Sequence, residues 1–191
     1  CAQKYIDSQA QMIADWGFDF LKLDGVGPGS FKAGPNHDNR ADVAAWHTAI
    51  ARTGRDIQFE ISWALDISAV DHWQEYADGW RIDTDVECYC DTLVTWANSV
   101  DDRFYDLPAW VPYAGNEGWN DLDTLNVGNG EMDGLTDDER QSYMTLWAIA
   151  AAPLYVGDDL TRLDQLGRKL LTNREVLAIN AQGRPASPVV A

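Results

Sequence analysis

The sequence predicts an α/β fold built from parallel βα units, and three observations predict it. Apolar runs with strand character alternate with segments of helical period, four or five times along the chain. Polar residues gather where a strand gives way to its following loop: Asp24, Ser62, Trp63, Asp85, Asp121 and Asp123. A (β/α)8 barrel places its active site on that face, and a doubly wound sheet binds ligands there too. Finally, no GxGxxG follows any strand, which argues against a dinucleotide site.

Each element has its own signal. Residues 4–16 set Tyr5, Ile6, Gln9, Met12, Ile13 and Trp16 at helical spacing, and Gly17 ends that helix. Phe18–Asp24 reads as a strand and runs into a glycine-rich loop. Asn39–Thr53 is helical, with Val43, Trp46 and Ile50 on one face and Gly54 as its stop. Ile57–Trp63 is a strand, Ser68–Ala77 a helix and Gly79–Asp83 a short strand. Thr92–Arg103 reads as a helix, and Gly118–Leu125 holds a strand-like turn. Thr136 and Glu139 form a capping box that opens a helix to about Ala151. Pro153 breaks it, Leu154–Val156 reads as a buried strand, and a polar helix over Thr161–Leu171 and a final apolar piece, Val176–Asn180, follow. Residues 181–191 read as a tail or linker.

Composition narrows the function. The 191 residues suit one domain, and 46% hydrophobic content argues against disorder. Nine Trp and seven Tyr suit a core, and also a platform for the C–H faces of pyranoses. A net charge of −17 repels phosphate backbones and anionic membranes, so nucleic acid and membrane surfaces are discounted as partners. No run reaches the apolar length of about 18 residues that a span needs. Cys1, Cys88 and Cys90, with His37, His47 and His72, show no metal-ligand spacing, so neither metal nor cofactor is expected. Cys88 and Cys90 are one residue apart, too close for an ordinary disulfide, so at least one free thiol is expected.

The chemistry-bearing residues are carboxylates near cations. Asp24 follows "FLKL", and Lys22, two residues earlier, shares its side of the strand. An ammonium there favours an ionised carboxylate, a plausible nucleophile. In "WRIDTDVE", Arg81, Asp83 and Asp85 share a face if the segment stays extended. Two carboxyls about 5–5.5 Å apart give retaining glycoside hydrolysis, and about 6.5–9.5 Å gives inversion. The plainer alternative is that such aspartates cap helices or fix turns, and that Lys22 and Asp24 form a salt bridge within the barrel.

The motifs "ADWGFDFLKLDG", "GWRIDTDVE", "GWNDLDTLNVGNG" and "LTDDERQSYMTLWAIAAAPLYVGDDL" resemble family 27 glycoside hydrolases of the α-galactosidase clan. The resemblance runs from about Tyr5 to Asn180. It implies a (β/α)8 barrel, with this chain (residues 1–180) supplying about the fourth to the eighth strand. By resemblance, Asp24 is the catalytic nucleophile and Asp85 the acid/base. Lys22 and Arg81 are ligands of the sugar, Ser62 and Trp63 line the fifth-strand motif, and Asp123 sits near the nucleophile. The implied activity is retaining removal of terminal α-D-galactose, in an extracellular or periplasmic setting.

Departures from the pattern shape further expectations. Val26, Ile61 and approximately Ala77 stand where animal and plant members carry disulfide cysteines. Ser62 stands where galactosidases often have Glu and N-acetylgalactosaminidases a small Ser, while Leu65 stands where the latter prefer Ala. β-L-arabinopyranosides and α-N-acetylgalactosaminides therefore remain alternatives, as does an inactive carbohydrate-binding fragment. The resemblance also implies that three barrel strands lie outside this chain. The missing N-terminal half or a second copy is the expected partner of its open sheet edge.

Overall fold

The computed structural model describes residues 2–27, 38–86, 96, 99–115, 118–187 and 189. The three cysteines, His37, most of the glycine loop and the start of the helix expected at Thr92 lie outside the described residues. The chain divides into two compact units, residues 1–81 and 82–191.

The first unit is a run of parallel βα units. Its elements are α1 (Ala2–Asp15), β1 (Phe20–Leu23), α2 (Arg40–Thr53), β2 (Gln58–Ile61), α3 (Val70–Tyr76) and β3 (Gly79–Arg81). β1 pairs with β2, and β2 with β3, both parallel. Parallel neighbours need a crossover, and α2 and α3 supply it. The stops are local chemistry. Gly17 and Gly54 take the left-handed φ of +84° and +71° that a helix C-terminus asks for. α1 ties to α2 through Arg52 and Asp7 at 2.8 Å and through Gln3 Nε2 donating to the Ala45 carbonyl at 3.0 Å. The core is Val43, Ile50, Phe59, Ile61, Trp73 and Trp80, all buried. Among the described residues of this unit, β1 pairs along one edge, with β2.

The second unit holds α4 (Val100–Trp110), β4 (Trp119–Asp121), α5 (Asp137–Ile149), α6 (Gln165–Leu171) and α7 (Arg174–Asn180). Leu122, Leu125, Val127, Tyr143, Met144 and Trp147 form its core, with the Tyr143 and Trp147 rings edge-on at 4.3 Å. The capping box is complete. The Thr136 N–H donates to Glu139 Oε2 at 2.7 Å, and the Glu139 N–H donates to Thr136 Oγ1 at 3.3 Å.

Two expectations are corrected here. Leu154–Val156 forms no strand but a single parallel bridge, Leu125 to Val156, closed by Leu125 N–H to the Tyr155 carbonyl at 2.8 Å. The run is apolar enough for a strand, but one bridge is all that its neighbour offers. The helix expected over Thr92–Arg103 begins only after Ser99, its N-cap, and runs on to Trp110, through Pro108. Val100, Arg103, Leu107 and Trp110 recur at helical spacing and are all buried, so packing carries the helix past the proline.

Candidate active site

Asp24 follows β1 directly and is exposed. One carboxylate oxygen accepts the Gly25 N–H at 2.8 Å. Gly25 and Gly27 have φ of +73° and +93°, a backbone that side chains resist, which explains two of the glycines in this loop. The loop is fastened to the end of β2. The Ser62 N–H donates to the Leu23 carbonyl at 2.8 Å, and the Val26 N–H donates to the Ser62 carbonyl at 3.0 Å. The β1–β2 ladder therefore runs on past both strands and fixes the backbone that carries Asp24. A hollow of about 200 Å³ opens beside it, lined by Asp24, Asn39, Asp42 and Trp46 among others.

One face of the same sheet carries Lys22, Ser62 and Arg81. Lys22 is level with Glu60 on β2, and Glu60 with Gly79 on β3. Asp24, Ser62 and Arg81 come two residues later on their strands, on the same side. Ser62 is 1% exposed and Arg81 5%, so both are buried groups rather than open surface. Trp63 has φ of +144°, a strained backbone for a bulky residue.

The second unit holds Asp85 and Asp123. Asp123 also has a positive φ, +75°. Three bonds impose it: its N–H donates to Asp121 Oδ1 at 2.7 Å, its Oδ2 accepts the Val86 N–H at 2.7 Å, and its carbonyl accepts Trp147 Nε1–H at 3.1 Å. Of the three non-glycine residues with positive φ among those described, Trp63 and Asp123 are both predicted site residues. Strain held in place this way clusters at functional sites.

Asp85 sits in the turn after β3, half-buried. The turn is clamped on both sides. Asp123 holds Val86, and fully buried Arg103 forms an ion pair with Asp83 and donates to the Thr84 carbonyl. Arg103 Nε–H also donates to the Leu122 carbonyl at 3.2 Å, joining this turn to the end of β4. The extended reading that put Arg81, Asp83 and Asp85 on one face fails, because β3 stops at Arg81 and the chain bends at Asp83 and Thr84. Asp83 is a structural ion-pair partner. Burial, and then the charge of Asp83, raise the neighbouring Asp106 to about 6.

Sequence reasoning overlooked several groups. Glu60 is a fully buried carboxylate inside β2, and Arg103 and Arg140 are fully buried cations. An acid at an inward strand position was visible in "FEISW"; nothing marked the two arginines, because helical period treats arginine as surface. Among the described residues, no group of three or more His, Cys, Asp or Glu could hold a metal, and no helix is long and apolar enough to cross a membrane.

Residues 1–182 match the Melibiase_2 family model, described as alpha galactosidase A. Alpha-galactosidase A of Homo sapiens is 33% identical over 192 residues, covering 92% of this chain and 40% of that protein. Alpha-N-acetylgalactosaminidase of Gallus gallus is 31% identical over 181 residues, covering 92% of this chain and 42% of that protein. The crystal structure of a family 27 β-L-arabinopyranosidase from Geobacillus stearothermophilus aligns with a TM-score of 0.81 at 31% identity, covering 94% of this chain and 41% of that one. The chain thus spans roughly two fifths of the length of these relatives. Its parallel βα units are those of a partial (β/α)8 barrel domain.

Proposed function

The chain belongs to the Melibiase_2 (alpha galactosidase A) family, and from that premise we propose that it is the C-terminal part of the catalytic barrel of a retaining exo-α-galactosidase. The observation that carries the reading is Asp24. It stands at the end of a parallel strand on a hydrogen-bonded glycine turn, with Lys22 on the same side of that strand.

The mechanism follows from two carboxyls in different roles. Asp24, ionised, attacks the anomeric carbon while Asp85 gives its proton to the leaving glycosidic oxygen. A covalent glycosyl ester on Asp24 results and the aglycone departs. Asp85, now a carboxylate, takes a proton from water, whose oxygen attacks the same carbon and releases both sugar and Asp24. Arg81 and Lys22 bind sugar hydroxyls, Ser62 and Trp63 shape the wall near the 2-position, and the strained Asp123 turn supports the site. No metal or cofactor takes part in these steps.

Two relatives favour a second reading of the sugar. Alpha-N-acetylgalactosaminidase and β-L-arabinopyranosidase both lie at 31% identity. Ser62, small and buried, is compatible with either. The rest of the barrel comes from an N-terminal half or from a second copy, and the setting is extracellular or periplasmic. The test is Asp24→Asn in the full-length polypeptide, against a panel of p-nitrophenyl glycosides. The fold should survive, and kcat should fall by about 10⁴ or more on whichever glycoside the parent cleaves. Unchanged hydrolysis by the variant would end the assignment.

A further inference from the structure

We propose that Glu60 is a positioning residue of this site: its buried carboxylate is the counter-charge that holds the Lys22 ammonium on the inward face of the sheet beside Asp24. The consequence for catalysis rests on the reading of Asp24 as nucleophile; the pairing itself does not.

Glu60 has no exposed surface. A buried carboxylate is costly unless a cation or a set of donors accompanies it. The register shows which cation. Lys22 is the partner of Glu60 on β1, and Gly79 is its partner on β3. Parallel partners at one level point to the same side, on strands about 4.8 Å apart. The charged groups on this face of the three strands are Lys22 on β1 and Asp24 just past its end, Glu60 on β2 and Arg81 on β3. Lys22 is level with Glu60. Arg81 lies one layer higher, with Asp24 and Ser62.

The sheet is cut to receive this carboxylate. A Cβ added to Gly79 would stand 1.9 Å from Glu60 Oε2 and 2.7 Å from Cδ. Glu60 therefore lies over the Cα of Gly79, in the space that a side chain on β3 would fill. Gly79 has no positive φ to require glycine, so the close approach of Glu60 is what its missing side chain accommodates. Two cations and two carboxylates thus share two layers, and Lys22 is held by an acid at its own level instead of collapsing onto Asp24 above. The nucleophile keeps a cation nearby without losing its reach to an ion pair.

The test uses the full-length polypeptide with ¹³C-carboxyl-labelled Glu. Lys22→Met should move the Glu60 titration upward by about one unit or more, because the acid loses its cation. Lys4→Met, on an exposed position of α1, should leave it in place. In the active enzyme, Glu60→Gln frees Lys22 toward Asp24 and should move the acidic limb of kcat/KM to lower pH by about half a unit. Glu60→Asp, which keeps the charge, should return the limb most of the way. A Glu60 titration indifferent to Lys22→Met, or an acidic limb unmoved in Glu60→Gln, would overturn the proposal. Should Lys22→Met not fold, the Glu60→Gln profile decides. Should the parent hydrolyse no glycoside, the functional reading fails and the carboxyl titration alone decides the pairing.

Discussion

Replacing Asp133 with asparagine should stabilise the second unit at neutral pH and flatten its dependence on pH. Asp133 is fully buried at the end of the short turn Gly130–Asp133. Its Oδ2 accepts the Asn129 N–H at 2.9 Å. Its Oδ1 is buried with no hydrogen-bond partner, and the Asp158 carboxyl is close enough to act on it electrostatically. Asp158 already accepts the Val127 and Gly128 N–H groups, at 3.1 and 2.9 Å. The cation that acts on Asp133 is Arg140, itself engaged by Asp164 at 2.7 Å and Asp137 at 3.3 Å. Burial first, and then the Asp158 charge, raise Asp133 to about 6 from the ordinary 3.8. Asp158 is raised as well, mainly by burial. The two neighbouring carboxyls, both raised, therefore hold a proton between them.

The sign follows from linkage. The folded chain binds this proton more tightly than the unfolded chain does. The stability it contributes is complete below about 3.8 and is lost as pH rises through about 6. The difference of about two units corresponds to roughly 3 kcal/mol at most. An asparagine side chain in its place would keep an oxygen for the Asn129 N–H and offer an N–H to Asp158 at every pH. Urea denaturation followed by Trp fluorescence from pH 4 to 8 should show Asp133→Asn ahead at pH 8, by up to about 3 kcal/mol, and near parity at pH 4. A variant no more stable than the parent at pH 8, or one with the parent's slope against pH, would refute the shared proton.

Other perturbations have equally definite outcomes. Thr136→Ala removes one half of the capping box and should cost about 1 kcal/mol in urea denaturation; no loss would mean that α5 is held by packing alone. Gly79→Ala puts a methyl into the Glu60 carboxylate and should cost about 1–3 kcal/mol, read as a lowered thermal midpoint. Asp106→Asn should lessen the fall in stability between about pH 4 and 6, since burial and Asp83 raise that carboxyl to about 6; an unchanged profile would show that Asp106 takes up no proton on folding.

The order of helices and strands was legible in the sequence because period and punctuation agree. Gly17, Gly54 and the Thr136–Glu139 pair mark ends that the structure keeps. Boundaries slipped where tertiary packing outweighs local signals. α4 passes Pro108 because four buried side chains anchor it, and Leu154–Val156 falls short of a strand because pairing needs a neighbour. The candidate site was readable only as residue types at strand ends. Its supports were not: Arg103 clamping the Asp85 turn and Glu60 beneath the Asp24 layer are long-range pairings, which no local pattern encodes. The shared face of Arg81, Asp83 and Asp85 failed for a plain reason, since it assumed an extended strand that ends at Arg81.

As the proposed nucleophile, Asp24 carries the sugar as a covalent ester during turnover. The most direct measurement is mass spectrometry of the full-length protein after exposure to a fluorinated galactosyl fluoride, a reagent that forms the glycosyl ester quickly and releases it slowly. One added fluoroglycosyl mass is expected, mapped to the peptide that contains Asp24, and none in Asp24→Asn. An adduct on another carboxylate, or inversion at the anomeric carbon during turnover of a natural glycoside, would contradict it.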